Sequence, residues 1–136
     1  MQDNFTFKKI LKRGLVSGTV FTLLWASWAY YANMSHGEAA AQRAAITQAS
    51  FTVVNAFVYT MFMEYMFSRG NSVLSRFLLA FVVPNLVVTA LLTQLHVYRE
   101  TPNVLATVAP SLSIVYALSL FYVLFVGPRK LKESGH

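Results

Sequence analysis

Apolar residues gather into four runs, about 14–33, 45–68, 74–96 and 105–126, parted by short polar interruptions. At 1.5 Å rise per residue, a helix needs about 20 mainly apolar residues to cross a bilayer, and each run is long enough. The pattern predicts an all-α fold: a polytopic membrane protein whose residues 1–136 form a single domain of four transmembrane helices in a bundle.

Local signals place the helix ends. Ser35-His36-Gly37-Glu38 has capping-box spacing, which predicts a helix start there, with Glu38, Gln42 and Arg43 at the membrane surface. Arg69-Gly70-Asn71 supplies its stop, Gly70 suiting the left-handed conformation after a helix end. A third helix is expected after Asn71 or Ser72, with Pro84 either kinking it or leaving one carbonyl without its usual partner. A fourth is expected to start with Thr101 as cap and Pro102 at the first helical position, bend at Pro110 and end at Gly127-Pro128. Trp25, Trp28, Tyr30 and Tyr31 close the first run as an interfacial aromatic belt, unlike a cleavable export signal, so the first helix is expected to be retained.

Within the runs, small and polar residues recur at four-residue steps. Gly14, Gly18, Thr22 and Ala26 form a ridge expected to face protein, and Ala109, Ser113 and Ala117 form another in the fourth run. On the second helix Gln48, Thr52, Ala56, Thr60 and Glu64 follow the same step, with Asn55 beside them; Asn85, Thr89 and Thr93 do so on the third. Packing of two such rows would turn their polar groups away from lipid. Thr22, Asn55, Asn85 and Tyr116 fall at similar depth near the midplane, either as packing hydrogen bonds or as a site for a polar head group or ion. Glu64 lies about one turn inside Arg69, where it either pairs with Lys12, Arg13 or Arg76 or takes part in ion coupling.

Charge fixes an orientation. Lys8, Lys9, Lys12, Arg13, Arg69, Arg76, Arg129, Lys130 and Lys132 flank one side of the runs, and only Arg43 and Arg99 flank the other. The positive-inside rule then puts both termini and the middle loop in the cytoplasm, with the bacterial inner membrane the expected location. The chain is 56% hydrophobic and 12% charged with a net charge of +6. Those charges cluster beside apolar runs, which suits topology and anionic lipid rather than nucleic acid.

Chemical motifs are few. With no cysteine there is no thiolate nucleophile or cysteine metal site. GxSxG, HExxH, Walker and dinucleotide patterns are all missing, so no enzyme, cofactor or metal is expected. His36, Glu38, His96 and Glu100 offer one zinc alternative, with His96 and Glu100 sharing a face if the third helix extends that far. Arg43 and Arg99 suit an anionic lipid or carboxylate instead. Candidate substrate-binding residues are therefore Arg43, Asn55, Glu64, Asn85, His96 and Arg99.

In length, four-span topology and a basic N-terminus carrying Lys8, Lys9, Lys12 and Arg13, the chain is similar to the GtrA-like family of small polytopic proteins. The likeness is one of topology; it implies a role in moving lipid-linked sugars and assigns no residue roles. The expected function is thus a small non-enzymatic membrane protein, transporter-like or an accessory subunit, handling an amphipathic or anionic lipid-linked substrate. The alternative is a structural or assembly subunit of a larger membrane complex. Expected partners are membrane lipids and a second copy or other membrane subunits.

Overall fold

The computed structural model describes residues 2–135, with side chains at 8, 9 and 11–135. Its described residues are helical apart from short connections, and no strand occurs among them. Four helices run up and down: α1 (Gln2–Asn33), α2 (Glu38–Arg69), α3 (Val73–Tyr98) and α4 (Val104–Glu133). Of these, α2, α3 and α4 are long and apolar enough to cross a membrane. The apolar run of α1 is diluted by Ser17, Thr19, Thr22 and Ser27 and closes in amphipathic aromatics. It packs chiefly along α2 and reaches α4 near its C-terminal end.

The core is thin. Met63, Phe67, Ala80 and Val123 pack together toward the end that carries both termini and the 70–72 turn, called here the basic end. Val88, Leu92, Val108 and Leu112 pack toward the opposite end. Large apolar side chains such as Met61, Leu86 and Leu105 instead point outward, 72%, 64% and 77% exposed. A water-soluble monomer rarely exposes so much contiguous apolar surface, whereas a lipid-facing bundle does.

Several helix ends differ from the sequence expectations. Ser35 forms no capping box; Met34–His36 is a 3-10 turn, and Gly37 precedes α2 with φ 100° and ψ 156°, a backbone open essentially to glycine alone. Gly70 is extended, with φ −77° and ψ 134°, so its smallness serves a different need: an added Cβ would lie 2.4 Å from Cγ of Arg76. Ser72 caps α3 in a reciprocal box with Ser75. Thr101 is not the cap of α4, which begins at Val104 after Asn103.

The end of α3 is a Schellman stop. Thr101 N–H donates to His96 C=O at 2.9 Å and Glu100 N–H to Val97 C=O at 3.0 Å, with Glu100 at φ 55° in the position glycine usually takes. A left-handed non-glycine residue costs about 1–2 kcal/mol. Arg43 offsets this by reaching across from α2: its Nε donates to Arg99 C=O at 2.9 Å, placing a cation at the negative end of the helix. The stop also ends any shared face between His96 and Glu100.

Prolines are accommodated in two ways. Leu78–Val82 and Tyr122–Val126 are π turns, each ending two residues before a proline, Pro84 and Pro128. Val83 N–H bonds Leu78 C=O and Gly127 N–H bonds Tyr122 C=O, so the ladder has already widened where each ring would meet a carbonyl. For that reason α4 does not stop at Gly127-Pro128 but runs on to Glu133. Pro110 lies inside regular helix, and the carbonyl it cannot serve, that of Ala106, accepts from Trp28 Nε1 at 2.8 Å. Trp28 is thus more than a belt residue: it ties α1 to α4 at a proline-made vacancy in the backbone ladder.

Candidate functional site

The polar residues singled out by sequence fall at three levels along the bundle and do not converge on one point. Near the opposite end, His96 is fully buried between Gln48 and Thr101. Gln48 Oε1 lies 2.9 Å from its Nε2, and Thr101 Oγ1 lies 2.9 Å from its Nδ1. The ring therefore donates through Nε2 to the amide oxygen and accepts the threonine hydroxyl at Nδ1. Both nitrogens are engaged, and the described residues contain no group of three or more histidines or carboxylates placed to hold a metal. His36 is exposed, as is Arg99, whose backbone carbonyl, not its side chain, meets Arg43. At the same end Asn33 is buried, with Nδ2 2.7 Å from Thr107 Oγ1 and Oδ1 accepting from the N–H of Asn103 at 2.9 Å.

At mid-depth Asn85 joins three helices. Its Nδ2 donates to Phe81 C=O at 2.8 Å and to Ser119 Oγ at 2.9 Å, and its Oδ1 accepts from the Tyr59 hydroxyl at 2.9 Å. Thr89 donates to Asn85 C=O at 2.6 Å and also bonds the Tyr116 hydroxyl. Of the four residues expected at similar depth, Asn85 and Tyr116 are joined through Thr89, whereas Thr22 donates to Gly18 C=O on its own helix, and Asn55, half-buried, has no side-chain hydrogen bond among the described residues.

The reason lies in helix periodicity. A four-residue step drifts off one face of a 3.6-residue helix, so Ala56 and Thr60 end up exposed. The inward face of α2 follows Gln48, Thr52, Asn55, Tyr59, Met63 and Phe67, mixing steps of three and four. That of α3 follows Asn85, Val88, Leu92 and His96 rather than Thr93. Tyr59 and Ser119, which sequence reasoning missed, were legible only as members of such a mixed row. The small ridge of α4 turns outward, Ala109, Ser113 and Ala117 being exposed; on α1 Gly14 is exposed while Gly18, Thr22 and Ala26 are half-buried, and a Cβ added at Gly14 or Gly18 would meet nothing within 4 Å.

At the basic end Glu64 Oε1 accepts from Lys130 Nζ at 2.7 Å, so its partner is on α4 rather than Lys12, Arg13 or Arg76. The two side chains are 43% and 57% exposed, and such a pair contributes about 0–1 kcal/mol. Arg76 is held differently. Its Nε donates to Gly70 C=O at 3.0 Å, and its guanidinium carbon sits 5.6 Å from the centroid of the buried Phe67 ring.

Two clefts open at this end. One, of about 510 Å³, lies between the start of α3 and the end of α4, lined by Phe67, Val73, Leu74, Arg76, Phe77, Val123, Leu124 and Pro128. The other, of about 350 Å³, runs along α4 beside Phe121, Phe125, Val126, Arg129, Lys130 and Glu133. Both combine apolar walls with cationic groups, the first with Arg76 and the second with Arg129 and Lys130 beside the carboxylate of Glu133; the first is the one whose chemistry suits an amphipathic anion.

No family model, curated protein or solved structure matches the chain. The topological likeness to GtrA-like proteins thus has no counterpart in sequence or fold comparison, and the functional reading rests on the geometry.

Proposed function

We propose that the chain is a non-enzymatic integral membrane protein that crosses the bilayer four times, α1 included, with both termini and the 70–72 turn in the cytoplasm. Its role is to handle an amphipathic, anionic lipid, as a transporter-like protein or an accessory subunit, in a membrane such as the bacterial inner membrane. The observation that carries this reading is the placement of both clefts at the basic end, each pairing apolar walls with arginine or lysine. The engaged state of Asn85, His96 and Arg43 supports a lipid held at the bundle's flank rather than a substrate passing through its centre. Outward Leu15, Val16, Val20 and Leu23 on α1 support its place among the spans.

Orientation is tested by single-cysteine labelling, which the cysteine-free sequence permits without background. Ser72→Cys should react with a membrane-impermeant thiol reagent only from the cytoplasmic side, and His36→Cys only from the opposite side. The reverse pattern, or both sites on one side, would sink the topology. For function, vesicles holding the purified chain should exchange labelled anionic phospholipid between leaflets faster than protein-free vesicles. Equal rates would reject transport.

A second reading, an assembly subunit, is favoured by the outward small ridge of α4 and by the open space beside Gly14 and Gly18 on α1, where another backbone can approach closely. A stoichiometric partner copurifying in mild lipid particles, with no lipid exchange in vesicles, would select it.

A further inference from the structure

We propose that the cleft between α3 and α4 seats one anionic phospholipid, its phosphate held by Arg76 and one acyl chain lying against Val73, Leu74, Phe77 and Leu124. The inference rests on the lipid-handling reading and gives it a site and a headgroup chemistry.

The turn before α3 is shaped around Arg76. Gly70 adopts a backbone that any residue could take, yet a Cβ there would lie 2.4–2.8 Å from Cγ, N and Cα of Arg76. The glycine is thus needed for close approach, not for conformation. Three restraints then fix the side chain: the missing Cβ beneath it, the Nε bond to Gly70 C=O at 3.0 Å, and the face of Phe67 at 5.6 Å. Phe67 is itself locked, 4% exposed and edge-on to Tyr122 at 5.8 Å. A guanidinium carries five N–H donors in a planar fork, and here the Nε donor alone is used. The two terminal nitrogens have no hydrogen-bond partner among the described residues. An arginine held in place with its fork open is a phosphate-binding geometry, because little side-chain entropy remains to be lost on binding.

The surroundings select a lipid. Arg76 is the charged residue of the lining and the walls are apolar, so a small hydrated anion would gain nothing from most of the cleft. Val73 and Leu74, 84% and 67% exposed, extend the apolar wall outward beside the arginine, as a site continuous with the bilayer requires. At about 510 Å³ the cleft lies within the usual range for small-molecule sites. Among the described residues its lining holds no carboxylate to partner a zwitterionic headgroup's cation.

The full chain, purified in mild detergent, is mixed with phosphatidylglycerol or phosphatidylcholine, and retained lipid is counted by native mass spectrometry. Phosphatidylglycerol should be retained about tenfold over phosphatidylcholine, and Arg76→Gln should lower that retention about tenfold. Leu124→Trp, which fills the cleft from an exposed position, should lower it similarly, and it keeps the test decisive if Arg76→Gln disturbs the turn. Excess inorganic phosphate should not displace the lipid. Equal retention of the two lipids, full retention in Arg76→Gln or in Leu124→Trp, or displacement by phosphate alone would overturn the proposal. Lipid retained as described but without exchange in vesicles would sink the transport reading and leave this site standing. Exchange indifferent to Arg76 and Leu124 would do the opposite.

Discussion

Asn85→Leu should destabilise the folded bundle by about 2–5 kcal/mol, read as a lower midpoint in detergent-induced unfolding. The asparagine makes three side-chain hydrogen bonds joining α2, α3 and α4. Bonds of this kind within membranes contribute roughly 0.6 to 2 kcal/mol each, and leucine would leave the Tyr59 and Ser119 hydroxyls facing an alkyl group. Leucine would favour insertion of the isolated span, so the loss is one of helix packing, and membrane targeting should be unaffected. Tyr59→Phe removes one of the bonds and should cost about 1 kcal/mol alone but close to nothing in the Asn85→Leu background. Unchanged stability in Asn85→Leu together with lost lipid exchange would move Asn85 from packing to substrate contact.

Gly127→Ala should also destabilise, by about 1–3 kcal/mol, although alanine is the better helix former by about 1 kcal/mol. The added methyl would lie 2.5–2.8 Å from three atoms of the Phe67 ring. That ring cannot retreat, since it is buried among Met63, Ala80 and Val123 and carries Arg76 on its face. Gly18→Ala provides the contrast. Its methyl meets nothing within 4 Å, so the monomer should gain up to about 1 kcal/mol from propensity. A loss at Gly18 would instead indicate that another chain closes on that ridge. If Gly127→Ala proves neutral, the packing described around Phe67 is wrong.

The helices were legible because solvation by lipid demands long apolar runs, a signal that composition carries with no knowledge of partners. Their ends were less so. The Ser35–Glu38 spacing fits a capping box, but Gly37 takes a backbone that only glycine tolerates and displaces the start of α2. Gly70 invited a conformational reading, while the requirement came from Arg76, six residues on and folded back over it. Pro128 looked like a stop because a proline's missing donor is visible in sequence and a widened turn ahead of it is not. Asn85 could be singled out as a polar residue in an apolar run. Its partners could not, since Tyr59 and Ser119 come from other helices and are chosen by how those helices rotate against each other.

The paired widened turns carry a geometric consequence. Each takes one more residue per loop of backbone than an ordinary turn, so whatever lies beyond it is rotated by about 100° about the axis. In α3 this offset sets the azimuth of Arg76 relative to Asn85, and in α4 that of Lys130 relative to Ser119. The cationic rim and the buried polar knot are therefore clocked against each other by two single-residue insertions. Shortening either helix there by one position would leave its length almost unaltered while swinging its charge to another quadrant.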